Sequence, residues 1–336
     1  MKTSWTLKAL LVAGAVFGGL TAMADPIVIK FSHVVAIDTP KGQAAEYFKK
    51  QVESRSKGRI KVEVYPNSQL FKDKEELEAL QLGSVQMLAP SLAKFGPLGV
   101  KEFEVFDLPF LFDNYDEVHK VTQGPIGQSM LKKLEAKGIT GLAFWDNGLK
   151  QMSANKPLHT VADYKGLKMR IQASKVLDAE MRALGANPQV MAFSEVYQAL
   201  QTGVVDGTEN PMSNFYTQKM HEVQKHLTLT NHGYLGYALI INKKFYDGLP
   251  SDLKSIVDVS VKQATDFGNK IAKEENDKAL AAVKASGKTT VYVPTAAERN
   301  EMKKALVKVH SQMDDRVGLD LVKQIYKETG FDPAKL

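Results

Sequence analysis

A single arginine offers the most telling chemistry in this chain. It is Arg170, in the stretch "DYKGLKMRIQAS" (163–174). Leu167, Met169 and Ile171 alternate with Lys168, Arg170 and Gln172, the period-2 pattern of a half-buried strand. The even-numbered face reads either as solvated or as one that presents a guanidinium to a carboxylate. An arginine is always charged and costly to bury without a partner. Other candidates stand beside predicted strand ends, where open α/β sheets bind ligands. His33 and Thr39 follow the first strand, with Lys41 in the first turn of the next helix, whose free amides suit an anion. Thr39 equally reads as a plain helix cap. Ser91 follows a further strand, and Lys150 follows "LAFWDNG". Asn210 lies in "DGTENP", and Phe193 immediately precedes a helix beginning at Ser194.

Several catalytic signatures fail on spacing. "SGKTT" (286–290) resembles a phosphate loop, but Ala282 stands where its first glycine is needed, and a helix rather than a strand precedes it. "HEVQKH" (221–226) spaces its histidines five apart, which puts them on different faces of a helix and rules out the zinc-protease pattern. There is no Gly-x-Ser-x-Gly elbow. The seven histidines show no metal-ligand spacing, and the chain has no cysteine. That excludes disulfides, thiolate nucleophiles, cysteine-ligated metals and a lipobox. Neither a cofactor nor a metal is expected.

These residues need elements to hold them, and the chain alternates strands and helices. "IVIKFSH" (27–33) reads as a strand, Thr39-Pro40 as a helix start, Ala44, Phe48 and Val52 as its apolar stripe, and "RIKVEVY" (59–65) as a second strand. "EALQLGSVQM" (78–87) and "QALQTGVVDG" (198–207) share Ala-Leu-Gln-x-Gly-x-Val. Each reads as a helix closed by glycine and running into a short strand. Two similarly built α/β lobes follow, each a mainly parallel sheet covered by helices. From Ser251 to about Ala285 a helical pattern runs without proline. At ~1.5 Å per residue it exceeds ~45 Å, which suits a strut across both lobes. Two helices broken near Gly268 are the alternative.

The N-terminus predicts export. Lys2 and Lys8, the run "ALLVAGAVFGGLTA" and the small-x-small "AMA" make residues 1–24 a secretory signal cleaved after Ala24. The apolar run is shorter than the ~20 residues of a membrane span. A net charge of +6, spread rather than clustered, argues against nucleic acid and for attraction of small anions. With no heptad seam, a monomer is expected.

At "GLKMRI" together with "MAFSEVYQALQTGVVDGTENP" (191–211), and again at "FSHVVAIDTPKG", "FDLPFLF" and "HEVQKHLTLTNH", the chain resembles a known family. These are the extracytoplasmic solute-binding proteins of TRAP transporters, in their C4-dicarboxylate-binding branch. The resemblance implies a periplasmic-binding-protein fold of two α/β lobes joined by hinge strands and braced by a long helix. The boundaries would be 25–147 plus about 236–270 for lobe I, and 148–235 plus about 271–336 for lobe II. It makes Arg170 the carboxylate anchor, through a bidentate pair, with Asn210 as a polar partner and Phe193 as an apolar wall. Lys150 stands where sialic-acid-binding relatives carry a second arginine, keeping the charge and losing the fork. His33, Lys41 and Ser91 would hold the second carboxylate from lobe I.

The function so implied is a receptor rather than an enzyme. It would be free in the periplasm, would capture malate, succinate or fumarate, and would deliver it to the small and large membrane subunits of the transporter. Rival readings are a receptor for a sugar acid, keto acid or aromatic carboxylate, with Trp145 and Tyr237 lining the pocket. An exported enzyme using Glu209 or Asp206 as base, or a chemosensory module, are the others.

Overall fold

The computed structural model describes residues 25–335. The predicted signal segment, residues 1–24, lies outside the described residues. The first half runs β1 (Ile27–Ser32), α1 (Pro40–Arg55), β2 (Ile60–Tyr65), α2 (Glu76–Gln81) and β3 (Met87–Leu88). Helices α3 (Tyr115–Thr122) and α4 (Pro125–Lys133) lead to the long strand β4 (Ile139–Ala154). Then come β5 (Lys168–Ile171), α5 (Lys175–Ala183), β6 (Asn187–Val190), α6 (Val196–Gln201) and β7 (Gly207–Asn210). α7 (Met212–Thr217) precedes a second long strand, β8 (His226–Asn242). The chain finishes with α8 (Lys243–Asp247), α9 (Ser251–Ser286), β9 (Thr290–Tyr292), α10 (Ala296–Val317) and α11 (Leu319–Thr329).

The strands form one sheet in the order β2-β1-β3-β8-β4-β7-β5-β6, with β9 on β8. β1 pairs parallel with β2 and β3, and β5 pairs parallel with β6 and β7. β4 and β8 run antiparallel along almost their whole length. Reading outward from that central pair, the two flanks mirror each other as β3-β1-β2 and β7-β5-β6. The repeated Ala-Leu-Gln-x-Gly segments occupy equivalent places in the two flanks, on α2 and α6. Gly83 (φ +80) and Gly203 (φ +73) end those helices in the left-handed region, where a side chain would strain the backbone. The sequence repeat is therefore a structural one: a βαβαβ unit built twice and joined through two long strands.

Each unit has its own core. Ile29, Phe31, Phe48 and Val52 pack with Leu239 and Ile241 in the first, and Met169, Ile171, Leu177 and Met181 with Met302 and Leu306 in the second. Thr39 caps α1, its hydroxyl accepting the Gly42 amide at 3.1 Å. The expected long helix is present and the alternative of a break near Gly268 does not occur: α9 is continuous over 36 residues, about 54 Å at the usual rise. The glycine is there for close approach, since a Cβ at Gly268 would come within 2.9 Å of Ala44 Cβ on α1. The N-terminal half of α9 buries Leu253, Val257 and Val261 in the first unit's core, whereas Ala279 and Val283 pack with Val196, Leu200 and Phe215 of the second. One rigid helix thus touches both units. Helix α11 packs against α3 of the first half, so the C-terminal segment does not rest on the second unit alone. No helix of the described residues is long and apolar enough to cross a membrane.

Candidate functional site

Arg170 is not on a solvated face. β5 lies between β7 and β6, and residues of the first half cover the face that carries Arg170, leaving it 2% exposed. Its Nε and Nη2 both donate to the Met191 carbonyl, at 3.1 and 2.8 Å, and its guanidinium carbon lies 5.8 Å from the Phe193 ring centre. Nη1 makes no hydrogen bond to the described residues. Burial pulls the guanidinium below its ordinary value, against the opposing influence of Asp73 and Glu209. The head group is anchored on one edge and open on the other, the geometry of a group waiting to complete a fork.

Two connected spaces lie where the halves meet. The outer one, a groove of about 350 Å³, has Arg170 and Met191 in its wall, with Leu77, Leu98 and Val190 as apolar lining. The inner one, a narrow gap of about 10 Å³, is walled by Lys41, Ser91, Phe193, Asn210, Asn214 and Tyr237. Asp73, Lys94 and Gln172 line both. The halves touch across this boundary. Gln172 donates to Ser91 Oγ at 2.8 Å, the Phe193 amide donates to Asp73 Oδ2 at 2.6 Å, and Lys72 meets Glu195 at 3.0 Å.

The electrostatics favour an anion. Lys41 is buried, donates to the Ala89 carbonyl at 2.9 Å and lies 3.7 Å from the Tyr237 ring centre. Burial, assisted by Lys94, pulls its ammonium down to about 7. Lys94 bridges Asp73 and Glu76. For Asp73, burial acts to raise the carboxyl, but Lys94 and Arg170 outweigh it and hold it at about 2. Burial lifts Glu76 above the usual range despite Lys94. Three cations thus surround one firmly ionised acid.

Five of the seven predicted residues gather here: Arg170, Asn210, Phe193, Ser91 and Lys41. Two do not. His33 is fully buried against Phe31, its ring nitrogens lack partners among the described residues, and its neighbours Val34 and Val35 form the wall instead. Burial, then Lys41, push it down to about 3, so it carries no charge for an anion. Lys150 is not in a loop after "LAFWDNG" but inside β4, where β-bulges at Asp146/Gly148 and Lys150/Met152 imitate a turn in sequence. Its Nζ sits 3.0 and 2.9 Å from the two oxygens of Glu209, in a separate buried cluster. There His232 Nε2 meets Glu209 Oε2 at 2.9 Å and Glu180 Oε1 at 3.3 Å. The fold brings Glu180, Glu209 and His232 within 4.8 Å, a grouping that spacing along the chain does not reveal. Lys150 already supplies the cation there. At the predicted amide site at the start of α1, the Thr39 hydroxyl occupies the Gly42 amide.

The rival sites change too. Trp145 lies in the core, donating to Thr265 at 2.8 Å. Asp206 accepts the Lys168 amide at 2.7 Å, and Glu209 is ion-paired, so neither acid is free to act as a base beside Arg170. Spacing missed Asp73, Lys94, Gln172 and Asn214. Two of these left a trace: Gln172 alternates onto the same strand face as Arg170, and Lys94 follows Ser91 by three residues in a 3₁₀ turn, which sets both side chains on one side.

The sequence profile of the DctP family, described as bacterial extracellular solute-binding protein, family 7, matches residues 31–316. The C4-dicarboxylate-binding periplasmic protein DctP of Rhodobacter capsulatus is 62% identical over 331 residues, covering 98% of this chain and 99% of the relative. A crystal structure of a TRAP periplasmic solute-binding protein from Shewanella oneidensis, with bound succinate, is 44% identical, with a TM-score of 0.89 over 90% of this chain and 99% of that one. Another from Pseudomonas aeruginosa PAO1, with bound L-malate, is 44% identical, with a TM-score of 0.83 over 85% and 100%. Two α/β units, paired crossing strands, a bracing helix and a cation-lined space between the halves accompany these similarities, and the chain belongs to the DctP family of bacterial extracellular solute-binding proteins.

Proposed function

We propose that this chain is the periplasmic receptor of a TRAP transporter and captures a C4-dicarboxylate such as succinate, malate or fumarate. It delivers that acid to the small and large membrane subunits without making or breaking a bond. The carrying observation is the placement of cations at both ends of the interlobe space. Arg170 stands at the outer end, Lys41 at the inner end, and Lys94 is between them. A four-carbon dicarboxylate, with two carbons between its carboxylates, offers an anionic group to each end at once. Export with cleavage after Ala24 fits this role. The lobes divide at the crossing strands, 25–147 with about 236–270 and 148–235 with about 271–336, with α11 reaching back onto the first.

Binding that engages both lobes favours the closed form only through its differential affinity for closed over open. A thermal-shift screen of mono- and dicarboxylates is the direct check, since a ligand that binds only the folded state raises the melting temperature. Succinate, malate and fumarate should shift it most. A larger shift from a sugar acid or an aromatic acid would overturn the ligand assignment.

Lys41 makes this binding pH-dependent. Its ammonium is held at about 7 in the unliganded protein, and a bound dianion favours the protonated form. Below that pH the lysine is already charged, so its contribution is constant. Above it a proton must be taken up, and affinity should fall by up to about tenfold per pH unit. Calorimetry from neutral to alkaline pH should show that slope, and Lys41→Met should flatten it.

A further inference from the structure

Among the described residues, the side chains that reach the Tyr237 hydroxyl, those of Asn147 and Asn214, act on it as donors. Tyr237 is buried on β8, forms an isolated bridge to Ser91 and walls the inner space. Its oxygen accepts an Nδ2 hydrogen of Asn147 at 2.6 Å. The neighbours of Asn147 orient that amide. Its other Nδ2 hydrogen goes to Asn214 Oδ1 at 2.9 Å, and its Oδ1 accepts the Ser213 hydroxyl at 2.7 Å. Its backbone carbonyl is held from the bracing helix by Asn276 Nδ2 at 2.6 Å. A phenol offers one donor and one acceptor function. With the oxygen occupied by an amide hydrogen, the O–H is left to donate. No acceptor among the described residues receives it. A buried donor left unmade is costly, and Tyr237 walls the space beside Lys41. The same ring supports the Lys41 ammonium, so hydroxyl and ammonium converge at the inner end, away from Arg170.

We propose that Tyr237 is a specificity-determining ligand residue: its hydroxyl donates to the second carboxylate beside Lys41, and Asn147 is the positioning residue that compels this donation. The proposal rests on the reading of the chain as a dicarboxylate receptor, and names the group that separates dicarboxylates from monocarboxylates. Two oriented donors at the inner end have no use for a methyl group, whereas Arg170 accepts any carboxylate.

The test is calorimetric titration of the mature protein with succinate, and with butyrate by displacement of succinate. Tyr237→Phe keeps the ring under Lys41 and removes one oxygen. It should weaken succinate by about tenfold or more, the worth of a hydrogen bond to a charged group, and leave butyrate unchanged within about twofold. Asn147→Asp replaces the donor by an acceptor that recaptures the phenol proton. It should give the same loss for succinate and add nothing in the Tyr237→Phe background. Succinate affinity unchanged in Tyr237→Phe, or an equal loss for both acids, would overturn the role of Tyr237. Additive losses in the double variant would overturn that of Asn147. If the unaltered protein bound no carboxylate, the receptor reading itself would fall and this proposal with it, an outcome distinct from binding that Tyr237→Phe leaves intact.

Discussion

Arg170→Ala is expected to weaken dicarboxylate binding by ~2–5 kcal/mol, the cost of truncating one member of a buried charge pair, which is a loss between about thirtyfold and several thousandfold. The guanidinium is clamped by two hydrogen bonds to the Met191 carbonyl and keeps Nη1 unbonded among the described residues, so little reorganisation is needed when a carboxylate arrives. Part of the cost comes from the carboxylate left desolvated, and part from the Met191 carbonyl losing both of its donors. Arg170→Lys separates charge from geometry. An ammonium preserves the charge but presents no planar fork, so its affinity should fall between those of wild type and the alanine variant. Monocarboxylates should suffer along with dicarboxylates, because this end of the cleft reads only one carboxylate. Calorimetry with succinate and a short monocarboxylate checks each step. Unchanged affinity for every carboxylate in Arg170→Ala would remove this residue from the site.

Local patterns carried much of the architecture. The Thr39-Pro40 start of α1, the repeated Ala-Leu-Gln-x-Gly segment and the proline-free run of α9 are all short-range signals, and each corresponds to an observed element. Arg170 stood out because a guanidinium on a strand bordered by apolar residues demands an explanation. What sequence could not supply was pairing at a distance. The residues "DNG" before Lys150 look like a turn, yet β8 holds them as a bulged strand through partners more than eighty residues away. Lys94 and Asp73 become legible as a pair only when the loop carrying Asp73 folds over the 3₁₀ turn carrying Lys94. Tyr237 shows the same limit: its aromatic ring can be read from sequence, but the direction of its hydroxyl depends on Asn147 and, through it, on the bracing helix.

Lys150 is expected to matter for folding rather than for ligand contact. Lys150→Met should destabilise the protein by about 3–5 kcal/mol, the range for removing one partner of a buried ion pair. The reason lies in what would remain. Lys150, Glu209, Glu180 and His232 are all buried, and Asp107 lies close by. Burial tends to lower the lysine and raise the acids, but Glu209, Glu180 and Asp107 together lift Lys150 above its ordinary value. Lys150 and His232 in turn draw Glu209 down, while burial and the charge of Glu209 push Glu180 up. Lys150, with His232, therefore keeps one carboxylate ionised in this buried cluster. A carboxyl with a depressed folded value contributes stability above its unfolded value, and that contribution disappears as pH falls through the folded one. Without Lys150 the depression is lost, so the gap between variant and wild type should be widest near neutral pH and narrow in acid. Pairing Lys150→Met with Glu209→Gln removes the uncompensated charge and should restore much of the loss, since replacing a whole buried pair is often close to neutral. Urea denaturation at neutral and acidic pH reads all three variants. If Lys150→Met kept its stability and instead lost succinate binding, the lysine would belong to the ligand after all.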